Sequence, residues 1–143
     1  WLFASHGNNF VRTMLRLERE RDEIKVVSDQ FGSPTWTRDL ALALCKLIRG
    51  DVKNYIHFGG LNSCSWFELA NYTLKQAHQI GLIQTLPVVT PIKTNQYPLP
   101  APRPAYSVLS TLRYQELTGS QPMKWEEAVD SVLQRLHEKS QDE

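Results

Sequence analysis

The chain has 143 residues, 41% of them hydrophobic and 22% charged, and its 16 Lys and Arg against 15 Asp and Glu leave a formal net charge of +1. That length suffices for one domain with a real core, and the charge balance gives no basic footprint for nucleic acid. No apolar run approaches the roughly 18 residues of a membrane span, and Cys45 and Cys64 lack zinc-type spacing, which reads as two free thiols in a reducing cytoplasm.

The opening, WLFASHG, is an apolar run that breaks into a Gly-containing turn, as a strand does on leaving a sheet. With no initiator Met before it, this start reads as cut from a longer protein. Asn8 or Asn9 can cap a helix over about 10–21, in which Phe10, Val11, Met14, Leu15 and Leu17 form one apolar stripe and ERERDE a solvated face. A short strand follows over Ile24–Val27. Thr37 is placed to cap the next helix, whose inward face is expected to hold Leu40, Leu44, Leu47 and Ile48 before Gly50 stops it.

Tyr55–Phe58 is predicted as another strand. Ser65 with Glu68 has the capping-box spacing for a third helix, through about Ile80 and closed by Gly81. Six of the eight prolines then fall between Leu86 and Ala105, where only Val88–Ile92 is a plausible strand. An ordered loop of that length suggests wrapping or ligand contact. Ser110 is expected to cap a short helix ending near Gly119, and a last helix covers about Lys124 to Leu136. The alternation indicates an α/β fold over residues 1–137, with 138–143 as a fraying tail.

The stretch VVSDQFGSPTWTRDL joins a strand to a helix through a polar turn, the kind of junction where α/β proteins keep binding groups. Asp29 and Gln30 are therefore candidate ligand contacts, although Asp29 serving only its own turn explains the pattern as well. The four histidines are too scattered to form a zinc site. His57 reads as structural, and NSCSW as a helix cap rather than a nucleophile elbow. The chain has no GxGxxG fingerprint, and no Tyr is followed four residues later by Lys. By its own residues it is an accessory or substrate-binding region.

Trp1, the segment from His6 to Ala41 with NNFVRTML and DQFGSPT, the Tyr55 to Phe58 stretch with Ser65, Trp66 and Glu68 behind it, and YPLPAPRPAYSVLST closely resemble the dTDP-4-dehydrorhamnose reductase family of extended short-chain dehydrogenase/reductases. The resemblance implies the C-terminal substrate-binding part of an NAD(P)-binding Rossmann-type enzyme. The missing N-terminal half would carry the dinucleotide fingerprint and the catalytic Tyr and Lys. In that family NADPH, or NADH, delivers hydride to C4 of dTDP-4-dehydro-L-rhamnose while the Tyr protonates the oxygen, giving dTDP-L-rhamnose for cell-surface polysaccharide.

This chain would then hold substrate and bind no cofactor by itself. By resemblance, Trp1 lies beside the sugar ring, and Asn8, Asn9 and Phe10 line the pocket. Asp29, Gln30, Gly32 and Pro34 shape its nucleotide end, and Arg103 pairs with phosphate. Family members that dimerise through Mg²⁺ carry Glu at the position of Arg38, and a cation cannot ligate Mg²⁺, which argues against that mode of homodimer here. The expected setting is cytoplasmic, with a dTDP-sugar as partner and neither nucleic acid nor membrane. Two rivals remain at this level: a nucleotide-sugar epimerase or dehydratase of the same superfamily, and a non-catalytic binding or regulatory module.

Overall fold

In a computed structural model of the chain, residues 1–48, 50, 52–98 and 100–141 are described. The elements run β1 (Leu2–Phe3), α1 (Phe10–Glu18), β2 (Glu23–Val27), β3 (Phe31–Gly32), β4 (Thr35–Trp36), α2 (Thr37–Ile48), β5 (Cys64–Ser65), α3 (Trp66–Gln79), β6 (Val88–Ile92), a 3-10 turn (Thr94–Gln96), α4 (Leu112–Thr118) and α5 (Trp125–Gln141). The strands form three two-stranded pieces. β1 lies parallel to β4, β2 parallel to β6 with Glu23 opposite Val88 and Val27 opposite Ile92, and β3 antiparallel to β5.

Helix α3 is the centre of the packing. Its capping box is complete, with Ser65 Oγ accepting from the Glu68 N–H while the Glu68 carboxylate accepts from the Ser65 N–H. The helix stops where Gly81 turns at φ +77, a conformation that favours glycine. Leu69, Ala70, Thr73, Leu74 and Ala77 are buried along it. Val11 and Met14 of α1, Ile24 and Val26 of β2, and Val129, Val132 and Leu133 of α5 belong to the same buried core. The small residues Ala70 and Ala77 leave room for neighbours such as these, whereas truncating Leu74 to Ala would cost about 2–5 kcal/mol.

Several expectations are corrected. Tyr55–Phe58 joins no strand ladder; Tyr55 is 88% exposed, and its carbonyl accepts a hydrogen bond from Arg113. A short apolar run has no strand state without a neighbour to pair with. Of the expected inward face of α2, Leu40 and Leu47 are half-buried but Leu44 is 50% and Ile48 80% exposed, and the buried residue of the helix is Ala43. Periodicity marks a stripe but not what covers it. Helix α2 starts at Thr37 itself, and α4 takes Thr111 rather than Ser110 as its N-cap, with no side-chain cap bond. Helix α5 continues to Gln141, taking in 138–141 of the expected tail; 142–143 lie outside the described residues. The pieces β3, β4 and β5, two residues each, were not foreseen.

Candidate functional site

A cleft with a volume of about 950 Å³ lies between α1, β2 and the Pro-rich stretch after β6. Helix α1 supplies Phe10, Thr13, Met14 and Leu17, and Arg21 follows its end; β2 supplies Ile24 to Val27. Opposite them stand Thr94, Tyr97, Pro98, Ala101, Pro102, Arg103 and Pro104. Trp1 and Trp66 close one end. Their rings stack at 3.5 Å and 11°, and Phe10 leans on Trp66 at 4.6 Å and 49°. The charged lining consists of Arg21, Lys25 and Arg103, with no carboxylate among the described residues. An apolar, aromatic cavity with a few convergent cations suits a ligand that joins flat or apolar rings to phosphate.

The structure brings four of the expected site residues, Trp1, Phe10, Gln30 and Arg103, to this cleft. Gly32 lies just behind it, so close to the Trp1 indole that a Cβ on Gly32 would run into the ring. Asn8 and Asn9 lie elsewhere, lining a smaller groove of about 370 Å³ beside Arg12, Arg16 and Arg19. Asn9 is the N-cap of α1: its Oδ1 accepts from the Arg12 N–H, and its Nδ2 donates to the carbonyls of Ala4 and His6. Those bonds commit both amide protons and one oxygen lone pair to holding the helix start.

Asp29 is not in the cleft wall. Its Oδ1 accepts from both the N–H (2.9 Å) and the hydroxyl (2.7 Å) of Thr94, which commits that oxygen to the start of the Pro-rich stretch. The Thr94 hydroxyl is the main reason the Asp29 carboxyl titrates below the usual carboxylate range. The Gln30 amide donates to the same hydroxyl at 3.1 Å while its residue lines the cleft.

Sequence reasoning missed Trp66, Tyr97, Arg21 and Lys25. The signal for Lys25 was present, since the alternation in β2 buries Ile24 and Val26 and leaves Lys25 exposed between them. Arg21 was set aside as part of a solvated charged run. His57 is exposed and outside the cleft. Among the described residues no group of three or more His, Cys, Asp or Glu is placed to hold a metal ion.

The chain was compared with known proteins. Residues 1–138 match the family described as RmlD substrate binding domain. The sequence is 38% identical over 138 residues to a dTDP-4-dehydrorhamnose reductase from Aggregatibacter actinomycetemcomitans, covering 92% of this chain and 47% of that protein. It is 42% identical over 134 residues to the spore coat polysaccharide biosynthesis protein SpsK of Bacillus subtilis, covering 94% and 44%. The crystal structure of a dTDP-4-dehydrorhamnose reductase from Clostridium acetobutylicum superposes with a TM-score of 0.84 at 37% identity, over 96% of this chain and 46% of that one. That of a Bacillus anthracis reductase in complex with NADP gives 0.82 at 38%, over 94% and 45%. A dTDP-glucose 4,6-dehydratase at 12% identity and TM-score 0.70 shares the fold. The chain thus spans about half the length of the relatives it matches. With its α/β architecture and these matches, it belongs to the RmlD substrate binding domain family.

Proposed function

We propose that the protein carrying this chain is an NADPH-dependent dTDP-4-dehydrorhamnose reductase, and that these residues hold the nucleotide sugar whose C4 keto group is reduced. The observation that carries this reading is the cleft itself. It has an aromatic end at Trp1, Phe10 and Trp66 for rings, three cations for a diphosphate, and a volume within the range of small-molecule sites. Arg103 is the cation best suited to a phosphate, because its planar fork can donate two parallel hydrogen bonds.

In this reading the dinucleotide is held by residues outside this chain, and no reaction step is assigned to a cofactor on it. The chain's contribution is to bind and orient the sugar. Docking of a dinucleotide-binding half accounts for two further features: the short parallel pair β1–β4, which cannot stand as a sheet alone, and the uncovered leucines of α2. A cytoplasmic setting goes with this reading, and no helix among the described residues is long and apolar enough to cross a membrane.

The test compares the protein containing both halves with this chain alone. The whole protein should oxidise NADPH with the 4-keto nucleotide sugar and yield dTDP-L-rhamnose, and the chain alone should not. Trp1→Ala in the whole protein should lower turnover more than it weakens dTDP binding, since the indole sits at the aromatic end and the cations at another wall. A different sugar product, or turnover by the isolated chain, would overturn the proposal.

A further inference from the structure

Three consecutive residues, Asp29, Gln30 and Phe31, grip the Pro-rich stretch at both of its ends. At the near end Asp29 and Gln30 hold Thr94 through the three hydrogen bonds given above, two of them to the Thr94 hydroxyl. That hydroxyl donates to Asp29 and accepts from Gln30, so its proton has one direction. At the far end the Phe31 N–H donates to the Ala105 carbonyl at 2.8 Å, and the Phe31 carbonyl accepts from the Ser107 N–H at 2.8 Å and the Ser107 hydroxyl at 3.1 Å. Between these feet lie Tyr97 and Arg103 on the cleft wall. The prolines at 98, 100, 102 and 104 have no N–H to donate, so the stretch cannot hold itself by a ladder of its own.

We propose that Asp29 and Thr94 are positioning residues: their clasp, with the Phe31 backbone as the second anchor, holds Arg103 at the cleft wall so that it meets phosphate without rearrangement. Asp29 does not touch the ligand; it acts through Thr94. The inference rests on reading the cleft as the nucleotide-sugar site. Its physical content is pre-organisation, since a cation fixed before binding loses less freedom when the ligand arrives.

The experiment uses the whole protein and dTDP as the probe, with affinity from calorimetry and thermal stability measured in parallel. Arg103→Ala should weaken dTDP by about tenfold or more, as loss of a charge-assisted fork requires. Thr94→Val, which keeps the shape and the N–H but removes the hydroxyl, should weaken it by roughly three- to tenfold, and Thr94→Ser should restore it. The decisive arm is Thr94→Val combined with Arg103→Ala: the pair should bind no more than about twofold worse than Arg103→Ala alone, because the clasp acts only through that arginine. Independent, multiplying losses would overturn the inference, as would full affinity in Thr94→Val beside a weakened Arg103→Ala. Unchanged affinity in Arg103→Ala would instead overturn the reading of the cleft, and the clasp with it. If Thr94→Val does not fold, Asp29→Ala replaces it under the same criterion, since it removes the Oδ1 that accepts from both the Thr94 N–H and the Thr94 hydroxyl.

Discussion

The indole of Trp1 lies flat on that of Trp66, 3.5 Å between centroids and 11° from parallel. One face of Trp1 is thereby committed to protein, and a ligand in the cleft can meet only the remainder. The stack also joins β1 to the first turn of α3, and the Trp1 carbonyl accepts from the Thr35 N–H to align β1 with β4. Trp1 therefore anchors the sheet edge while lining the cleft. The two roles draw on different parts of the residue.

Gly32 is required by this arrangement for its lack of a side chain. A methyl group there would overlap the Trp1 ring, so Gly32→Ala should destabilise the whole protein by about 1–3 kcal/mol, the usual cost of overpacking. Trp1→Ala added to Gly32→Ala should recover part of that loss, because the clash partner is gone. Denaturant unfolding of the two single variants and the pair checks it. Additive losses would mean that Gly32 is constrained by something other than the indole.

What was legible in the sequence was local. Asn9 as a cap, the Ser65 and Glu68 box and the Gly81 and Gly119 stops all follow from bonds or backbone angles a few residues apart, and the Val88–Ile92 strand from its β-branched run. What the sequence hid was mostly distant or a matter of which side a residue faces. The Asp29 carboxylate is satisfied 65 residues away by Thr94, which no turn pattern reveals. Asn8 and Asn9 lie outside the cleft that holds Phe10, because neighbouring residues at a helix start face different sides. Tyr55–Phe58 finds a ring partner rather than a strand partner, Phe58 meeting Tyr114 edge-on at 4.8 Å, and the α2 stripe is covered only at Leu40 and Leu47, which are half-buried. The assignment of Trp1, Phe10, Gln30 and Arg103 to one pocket came from resemblance, since no spacing rule joins positions 1 and 103.

The two thiols should differ sharply in reactivity. Cys64 is buried at the start of α3, and desolvation, then the nearby charges of Glu68 and Glu126, push its pKa well above the ordinary thiol value, whereas Cys45 is exposed. A thiol reagent at mildly alkaline pH should label Cys45 at once and Cys64 only after denaturant is added. Immediate labelling of both in the native protein would show that the β5–α3 junction opens.

Arg38 offers a test of metal dependence. Its guanidinium carbon lies 5.5 Å from the centre of the Trp36 ring, which Arg135 also approaches at 5.1 Å. Two cations over one indole make a poor neighbourhood for a divalent ion. Treatment of the whole protein with EDTA should change neither sedimentation nor activity. Dissociation on chelation, reversed by Mg²⁺, would place a metal at the subunit contact after all.

The hydroxyl of Tyr72 donates to the Asp130 carboxylate, 3.1 Å from either oxygen, and its ring meets Trp125 edge-on at 5.1 Å and 78°. Burial first, then the hydrogen bond and charge of Asp130, push the phenol up to about 12. Burial also raises Asp130, with the Tyr72 bond pulling the other way and the charges of Glu126 and Glu127 adding to the rise. Both groups are thus stabilised in their protonated forms relative to the unfolded chain, where a phenol titrates near about 10. For Tyr72 the sign follows directly: its contribution to stability is complete below about pH 10 and is lost as the pH rises through about 12. Spectroscopic titration of tyrosinate in the native protein should contain a component near 12 that Tyr72→Phe removes. The same variant strips Asp130 of its donor and should cost roughly 1 kcal/mol at neutral pH. It should also flatten the stability profile between about pH 10 and pH 12. Persistence of the late-titrating component in Tyr72→Phe would assign it to another tyrosine and sink the account of this pair.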